Sequence, residues 1–261
     1  MPELPEVEMA RRYLEERCKG MRIERVKVLD EGILRAVARG AFANAVQGRK
    51  VMGAGRHGKQ LFIDLGGIYL TVHLGMTGDL VMLEGGEKPP THTRVMFAFE
   101  DATSLAYDDP RKFGAIGLSS SVADFVMTHK LGPDALSISK REFMARAQRS
   151  RRAIKSLLID QHVIAGVGNL YADESLFQAK VHPLMSADQL SQAAIERIWV
   201  EVRRVLKASI AVDTDFRSLP EGFLLSNRVA DRPCPRRNGA LRAIKVGGRT
   251  TIFCPTCQTL I

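Results

Sequence analysis

The sequence has no run of 18 apolar residues, which excludes a membrane-spanning helix. It also lacks a secretory signal: the chain opens MPELPEVE, acidic where such a signal is basic and then hydrophobic. Cysteine is scarce. Of the four, Cys18 stands alone and Cys234, Cys254 and Cys257 fall within the last 28 residues. Without a secretory signal, that cluster reads as metal binding rather than as a disulfide framework. There are no repeats and no low-complexity tracts. Acidic residues are outnumbered, 29 Asp+Glu against 38 Lys+Arg, so the net charge is +9. That excess favours a polyanionic partner, nucleic acid first and an anionic membrane surface second. What remains is a soluble globular composition, 45% hydrophobic and 26% charged, in a 261-residue chain long enough for two domains.

Residues 5–19 read as a helix, with Val7, Ala10, Leu14 and Cys18 on one face and Gly20 after its end. Cys18 is then a plain core cysteine. Residues 23–120 read mostly as β. "LFIDLGGIYLTVHL" is a hairpin turning at Gly66-Gly67, and "VMFAFEDATSLAY" is a second turning near Asp101. Beyond "LGPDALS" the pattern becomes helical. Capping boxes are expected at Ser139 to Glu142 and at Ser186 to Gln189, the latter opening a long helix. "LLIDQHVIAGVGNLYADESLFQAK" reads as helix, glycine-rich turn, helix. Residues 209–233 are irregular, and a cysteine-bearing hairpin follows. The expected architecture is α+β and multidomain. Residues 1–130 form an antiparallel β-sandwich with a leading helix, 131–208 a helical domain, and 209–261 an irregular segment with a zinc-ribbon-like hairpin.

Several segments carry chemistry. Cys234, position 237, Cys254 and Cys257 have the spacing of two metal-binding knuckles, but position 237 is arginine, which never deprotonates and cannot be a ligand. Three thiolates remain, so a weak zinc site and a metal-free hairpin stay about equally open. "AGVGN" places glycines before a helix N-terminus, which suits a DNA phosphate or is simply a turn. Met76 in "HLGMTG", with Arg111 and Phe113 in "DDPRKFG", are suitable wedges for a void in a base stack; taken singly, Met76 and Phe113 fit a core position better. Lys59 stands at the entry of a strand, where a lysine is usually a solvated charge. Pro2 presents a secondary amine if Met1 is removed. An α-amino group is roughly a fifth to a third neutral at pH 7.4, against about one lysine in a thousand. Such an amine attacks a sugar C1′ or a carbonyl without needing burial, and Glu3 beside it supplies a proton.

Taken in order, "PELPEVE", "GKQLFIDL", "HLGMTG", "DDPRKFG", "GVGNLYADESLF" and "GGRTTIFCPTC" resemble the formamidopyrimidine-DNA glycosylase and endonuclease VIII family, and "PELPE" its formamidopyrimidine branch. The resemblance spans essentially the whole chain. It implies a bifunctional DNA glycosylase and apurinic/apyrimidinic lyase of base excision repair with a helix–two-turns–helix domain. It makes Pro2 the Schiff-base nucleophile, Glu3 the acid that protonates the opening sugar, and Lys59 and Arg249 aids to elimination. It makes Met76, Arg111 and Phe113 the residues that replace a flipped nucleotide. His92, Arg151, Lys155 and Asn169 become DNA-backbone contacts. Cys234, Cys254 and Cys257 become ligands of a structural zinc. The implied partner is damaged double-stranded DNA, bound by a monomer in a bacterial-type cytoplasm, associated with the nucleoid and not with a membrane.

The sequence departs from the family pattern at three places. Arg237 replaces a zinc cysteine, and Ser150 stands where a basic DNA contact is common. The segment before Cys234 is short and lacks a Tyr-Gly-Arg stretch. That segment caps an extruded 8-oxoguanine in the family, so its shortness bears on lesion choice. It also leaves a pyrimidine-preferring enzyme, or a damage-binding sensor with weak catalysis, as alternatives.

Overall fold

The computed structural model describes residues 2–260 and divides them into two compact units. The first holds Pro2 and residues 6–130; the second holds Glu3–Pro5 and residues 131–260.

The first unit starts with helix α1 (Leu4–Cys18), whose Val7, Leu14 and Cys18 are buried at the expected spacing. Gly20, at φ +89°, turns the chain out of it. Burial pushes the Cys18 thiol up to about 12, and its Sγ lies 3.7 Å from Met82 Sδ, so it is an inert core group. Strand β1 (Ile23–Val28) follows, then a helix that the sequence reading missed, α2 (Arg39–Val46), which buries Phe42 and Val46. Strands β2 (Gly53–His57), β3 (Gln60–Asp64), β4 (Tyr69–His73), β5 (Asp79–Leu83), β6 (Thr93–Phe99), β7 (Ser104–Asp108) and β8 (Ala115–Ser119) complete the β structure. They form two antiparallel sheets, ordered β1-β6-β7-β5 and β2-β3-β4-β8. Along β6, Thr93, Val95, Phe97 and Phe99 alternate inward, the period that a half-buried strand requires. One apolar cluster joins the inner faces of both sheets to α1 and α2, which makes the unit a β-sandwich with helical cover. Both expected hairpins are present, closing from Leu65 N–H to the Ile68 carbonyl and from Ala102 N–H to the Phe99 carbonyl. A short helix, α3 (Val122–Thr128), capped by Ser121, ends the unit.

The second unit is built on α4 (Lys140–Gln148), α5 (Ile154–Leu158), α6 (Asn169–Ala179) and α7 (Gln192–Ala211). Ser139 caps α4 by accepting from the Glu142 N–H, but Glu142 turns its carboxylate to Arg146, so only half of the expected capping box forms. The box expected at Ser186 does not open α7. Ser186 donates to the Arg151 carbonyl and to Asp188, and residues Ala187–Gln189 make a single 3-10 turn. Ser191 is the cap, accepting from the Ala194 N–H directly before the apolar-periodic run. Helix α6 is buried from Tyr171 to Phe177 on all sides, except for its half-buried flanks. The C-terminal hairpin pairs β9 (Arg242–Val246) with β10 (Arg249–Phe253) across the Gly247-Gly248 turn, as the sequence predicts.

Candidate active site

Glu3 is the most constrained of the expected catalytic residues. It is buried, and its two carboxylate oxygens accept from the first backbone N–H groups of α6: Gly168 at 2.6 Å, Leu170 at 2.9 Å and Tyr171 at 3.4 Å. These are orphan donors at the positive end of a helix, where a carboxylate is favoured. Leu4 N–H donates to the Gly166 carbonyl, so residues 3 and 4 run against the "AGVGN" turn. A Cβ at Gly166 would meet Leu4 Cδ1 at 2.6 Å, and a Cβ at Gly168 would meet Glu3 Cδ at 2.3 Å. The two glycines are therefore required by the chain's own N-terminal segment, a reading that the sequence alone did not reach. Pro2, covalently next to Glu3, is half-buried and lines an open pocket of about 590 Å³ with Glu6, Met9, Tyr13 and Leu74. Removal of Met1, on which a free Pro2 amine depends, concerns a residue outside those described.

Lys59 lies half-buried in the turn between β2 and β3. Its neighbour Gln60 pairs with His73 across the sheet. Burial, and then the Lys59 charge, hold the His73 imidazole below its usual pKa, which keeps a second cation out of this corner.

The segments after β4 and β7 are folded onto each other by Asp109. It is fully buried; one oxygen accepts from Thr77 Oγ1 and the Arg111 N–H, the other from the Gly114 N–H. Glycines 75 and 114 permit the approach: a Cβ on Gly75 would meet the Phe113 carbonyl carbon at 2.4 Å. The result is that Met76 and Phe113 stand 40% and 54% exposed, not in the core that each would favour alone. Arg111 lies over the Phe113 ring at 4.8 Å. Two large apolar groups are thus held in solvent beside a cation. His92 is exposed nearby, and its carbonyl accepts from the Asp109 N–H.

In the second unit, Arg151 is almost fully exposed. Arg249 is exposed on the first residue of β10, and Asn169 donates its amide to the Thr250 carbonyl. Lys155 differs from the surface cation expected. It is wholly buried, and its ammonium sits 2.6 Å from Asp173. Burial pushes its pKa down against the pull of Asp173. A charge already neutralised inside the protein is not offered to a phosphate.

The thiol sulfurs of Cys234, Cys254 and Cys257 lie within 4.8 Å of one another, with Cys234 and Cys257 at 3.7 Å. Tetrahedral zinc with sulfur at ~2.3 Å separates its ligand sulfurs by about 3.8 Å, so the cluster is compatible with three corners of a zinc site. Arg237 keeps the knuckle backbone, donating its N–H to the Cys234 carbonyl at φ +57°, but its side chain is exposed and supplies no donor. Asn238 approaches instead, its Nδ2 lying 3.5 Å from Cys257 Sγ.

Three residues of evident importance were absent from the sequence reading: Asp109, Asp173 and Arg228. The aspartates were visible only as turn and helix residues, and the arginine stood in a segment without pattern.

Comparison with known proteins matches this geometry. The family model for the formamidopyrimidine-DNA glycosylase N-terminal domain covers residues 1–116, and that for its H2TH domain covers 131–219. The formamidopyrimidine-DNA glycosylase of Geobacter metallireducens is 39% identical over 99% of this chain and 100% of its own length; that of Pelobacter propionicus is 37% identical with the same coverage. The crystal structure of the Lactococcus lactis enzyme non-covalently bound to an AP-site-containing DNA superposes with a TM-score of 0.90 at 29% identity, covering 99% of this chain and 100% of that one. A MutM structure in complex with carbocyclic 8-oxo-G-containing DNA gives 0.89 at 29%, with the same coverage. The chain belongs to the formamidopyrimidine-DNA glycosylase family.

Proposed function

We propose that this DNA glycosylase and apurinic/apyrimidinic lyase works through an iminium (Schiff-base) intermediate formed at Pro2. The observation that carries the reading is the adjacency of two groups: Pro2 stands directly before a Glu3 whose carboxyl is fixed by three backbone N–H groups. The neutral Pro2 amine attacks C1′ of the damaged nucleotide. The sugar ring oxygen takes a proton as the ring opens, relayed from the N–H of the attacking amine through the Glu3 carboxyl as the positioned acid, and the base leaves with the glycosidic electron pair. The resulting iminium acidifies the C2′ protons. Loss of one of them expels the 3′ phosphate, and a second elimination expels the 5′ phosphate. Lys59 and Arg249 assist these eliminations by neutralising phosphate charge, and Lys59 can also carry a proton. Met76, Arg111 and Phe113 fill the space vacated by the flipped nucleotide, an arrangement that their exposure on the Asp109-braced loops supports. His92, Arg151 and Asn169 contact the backbone of damaged duplex DNA, bound by a monomer of the chain in a nucleoid-associated, cytoplasmic setting. The helices of 131–208 supply the helix–two-turns–helix contacts, residues 1–130 the nucleophile's domain, and 209–261 the capping segment and hairpin.

Zinc at Cys234, Cys254 and Cys257 would tie the two ends of the hairpin together; with only three thiolates from the chain, its affinity is lower than that of a four-cysteine site. Among the described residues no helix is long and apolar enough to cross a membrane.

Borohydride trapping on an abasic duplex tests the nucleophile. Wild-type protein should give a covalent complex; protein that retains Met1, or carries an extra residue before Pro2, should give none. Full trapping by a Met1-retaining protein would remove Pro2 from this role.

A further inference from the structure

The buried charges behind the C-terminal hairpin form one connected cluster, and every branch of it ends on the strand that carries Arg249. Asp173, on α6, is at its centre. One carboxylate oxygen accepts from Arg228 Nε at 2.9 Å, from Arg228 Nη2 at 2.5 Å, and from the Ile252 backbone N–H at 3.0 Å. The other lies 2.6 Å from Lys155 Nζ. Lys155 in turn donates to Thr251 Oγ1 at 2.6 Å. Arg228 and Asn169 both donate to the Thr250 carbonyl, at 3.1 and 3.0 Å. Three consecutive residues of β10, immediately after Arg249, are therefore held by α5, α6 and the segment preceding Cys234.

A two-stranded hairpin is at best marginally stable alone. This one has lost a metal-ligand position to Arg237, so its strand register needs another restraint. Across the hairpin itself, Lys245 Nζ donates to Thr250 Oγ1 at 2.7 Å, but this pair is exposed to solvent and restrains the register weakly. A carboxylate is suited to the task because charge-assisted hydrogen bonds are short, directional and stronger than neutral ones. Burial adds to this: a buried ion cluster is not reliably stabilising, but breaking it is costly, so the arrangement is selective for one geometry.

We propose that Asp173, clamped by Lys155 and Arg228, is a positioning residue for Arg249, fixing β10 against α6 so that the Arg249 guanidinium and the Asn169 amide present themselves in fixed register to the DNA backbone. The proposal rests on the reading of Arg249 as a phosphate contact that aids elimination. Asp173 touches neither DNA nor the reacting atoms; it acts through the strand. Arg228 belongs to the shortened segment, so that segment retains a structural task.

The test is a double-mutant cycle on the full-length protein with a duplex carrying a tetrahydrofuran abasic analogue for affinity, and an abasic duplex for products. Arg249→Ala should weaken binding and shift the product from β,δ-elimination toward β-elimination alone. Asp173→Asn keeps the side chain's shape and should do the same, weakening affinity about tenfold, the size of one charge-assisted contact, and lowering the salt slope by about one. The double variant should match Arg249→Ala alone, because a misplaced arginine and an absent one are equivalent. Should Asp173→Asn not fold, Arg228→Met, at a half-buried loop position, enters the same cycle, with Arg228→Lys expected to restore part of the loss. A wild-type product ratio in Asp173→Asn or Arg228→Met, or losses that multiply in the double variant, would overturn the positioning role. If Arg249→Ala alone changes neither affinity nor product ratio, it is the reading of Arg249 that fails, and the positioning role falls with it.

Discussion

Gly168→Ala is the smallest change that isolates Glu3. Gly168 has φ −128° and ψ −158°, extended backbone that alanine adopts freely, so the substitution carries no intrinsic strain. The nearest obstacle is the carboxyl of Glu3: the new Cβ would lie 2.3 Å from Cδ and 2.6 and 2.7 Å from the two oxygens. Contacts under 3.0 Å to a Cβ essentially never occur, so the carboxyl must retreat by about 0.7 Å, and a displacement near 1 Å costs on the order of 10²-fold in rate. That is about 2.7 kcal/mol of barrier. Retreat also lengthens the 2.6 Å bond from the Gly168 N–H, so Glu3 loses its strongest tether. Single-turnover base excision should fall about 10²-fold, while Pro2, whose amine is untouched, should still be trapped by borohydride on an abasic site. Thermal unfolding of the variant provides the control for folding. Excision within threefold of wild type, in a folded variant, would show that Glu3 need not sit where the α6 N-terminus holds it.

Arg249→Ala should reduce the slope of log affinity against log salt by about one phosphate contact, and an affinity nearly independent of salt would contradict a phosphate-dominated interface. Zinc should be weak or substoichiometric in the purified protein and tight in Arg237→Cys; one zinc per chain that survives a mild chelator would mean that a fourth ligand was overlooked. The short segment 213–233 leaves less chain over an extruded purine, so ring-opened purines or abasic sites should be processed at least as fast as 8-oxoguanine; a clear preference for 8-oxoguanine over every other lesion would refute this. Burial works to raise the Glu8 carboxyl, but hydrogen bonds and charge from Arg11 and Arg56 outweigh it and hold its pKa below the usual value. A depressed pKa stabilises the fold above the unfolded-state pKa and loses that effect as pH falls through the folded-state one. Glu8→Gln should therefore lower the Tm at neutral pH and converge with wild type in acid; a constant gap at every pH would assign the loss to packing.

The parts legible in the sequence are those with a local cause. Paired glycines fixed two hairpin turns at Gly66-Gly67 and Gly247-Gly248, both with positive φ. Alternation in β6 and the spacing of Val7, Leu14 and Cys18 gave strand and helix directly. Helix α2 escaped because its signals are weak: Ala38 offers no capping side chain, Gly40 interrupts the run, and only Phe42 and Val46 are buried. Ser186 misled because a Ser-x-x-Gln pattern is as good locally as the Ser191 that won; what decided between them was the distance to the start of the α7 apolar face.

The candidate residues were legible by type, but what holds them in place was not. Asp109 reads as a turn aspartate before proline, and only the folded chain shows it buried with three donors, holding Met76, Arg111 and Phe113 outward. Helix α6 shows the difficulty most clearly. A helix buried on nearly every side has no amphipathic period to betray its orientation, so Asp173 and Glu174 pass for solvated charges. Instead each receives a different part of the chain. Asp173 accepts from Arg228 and the Ile252 N–H, and Glu174 accepts from the Leu225 N–H and from Gln178. At the N-terminus of the same helix, three N–H groups hold Glu3. One helix thus fixes the carboxyl of Glu3, the strand bearing Arg249 and the base of the shortened segment. Each of these buried charges is paired or hydrogen-bonded, and because breaking such a pair is costly the cluster selects one arrangement of the segments around the helix.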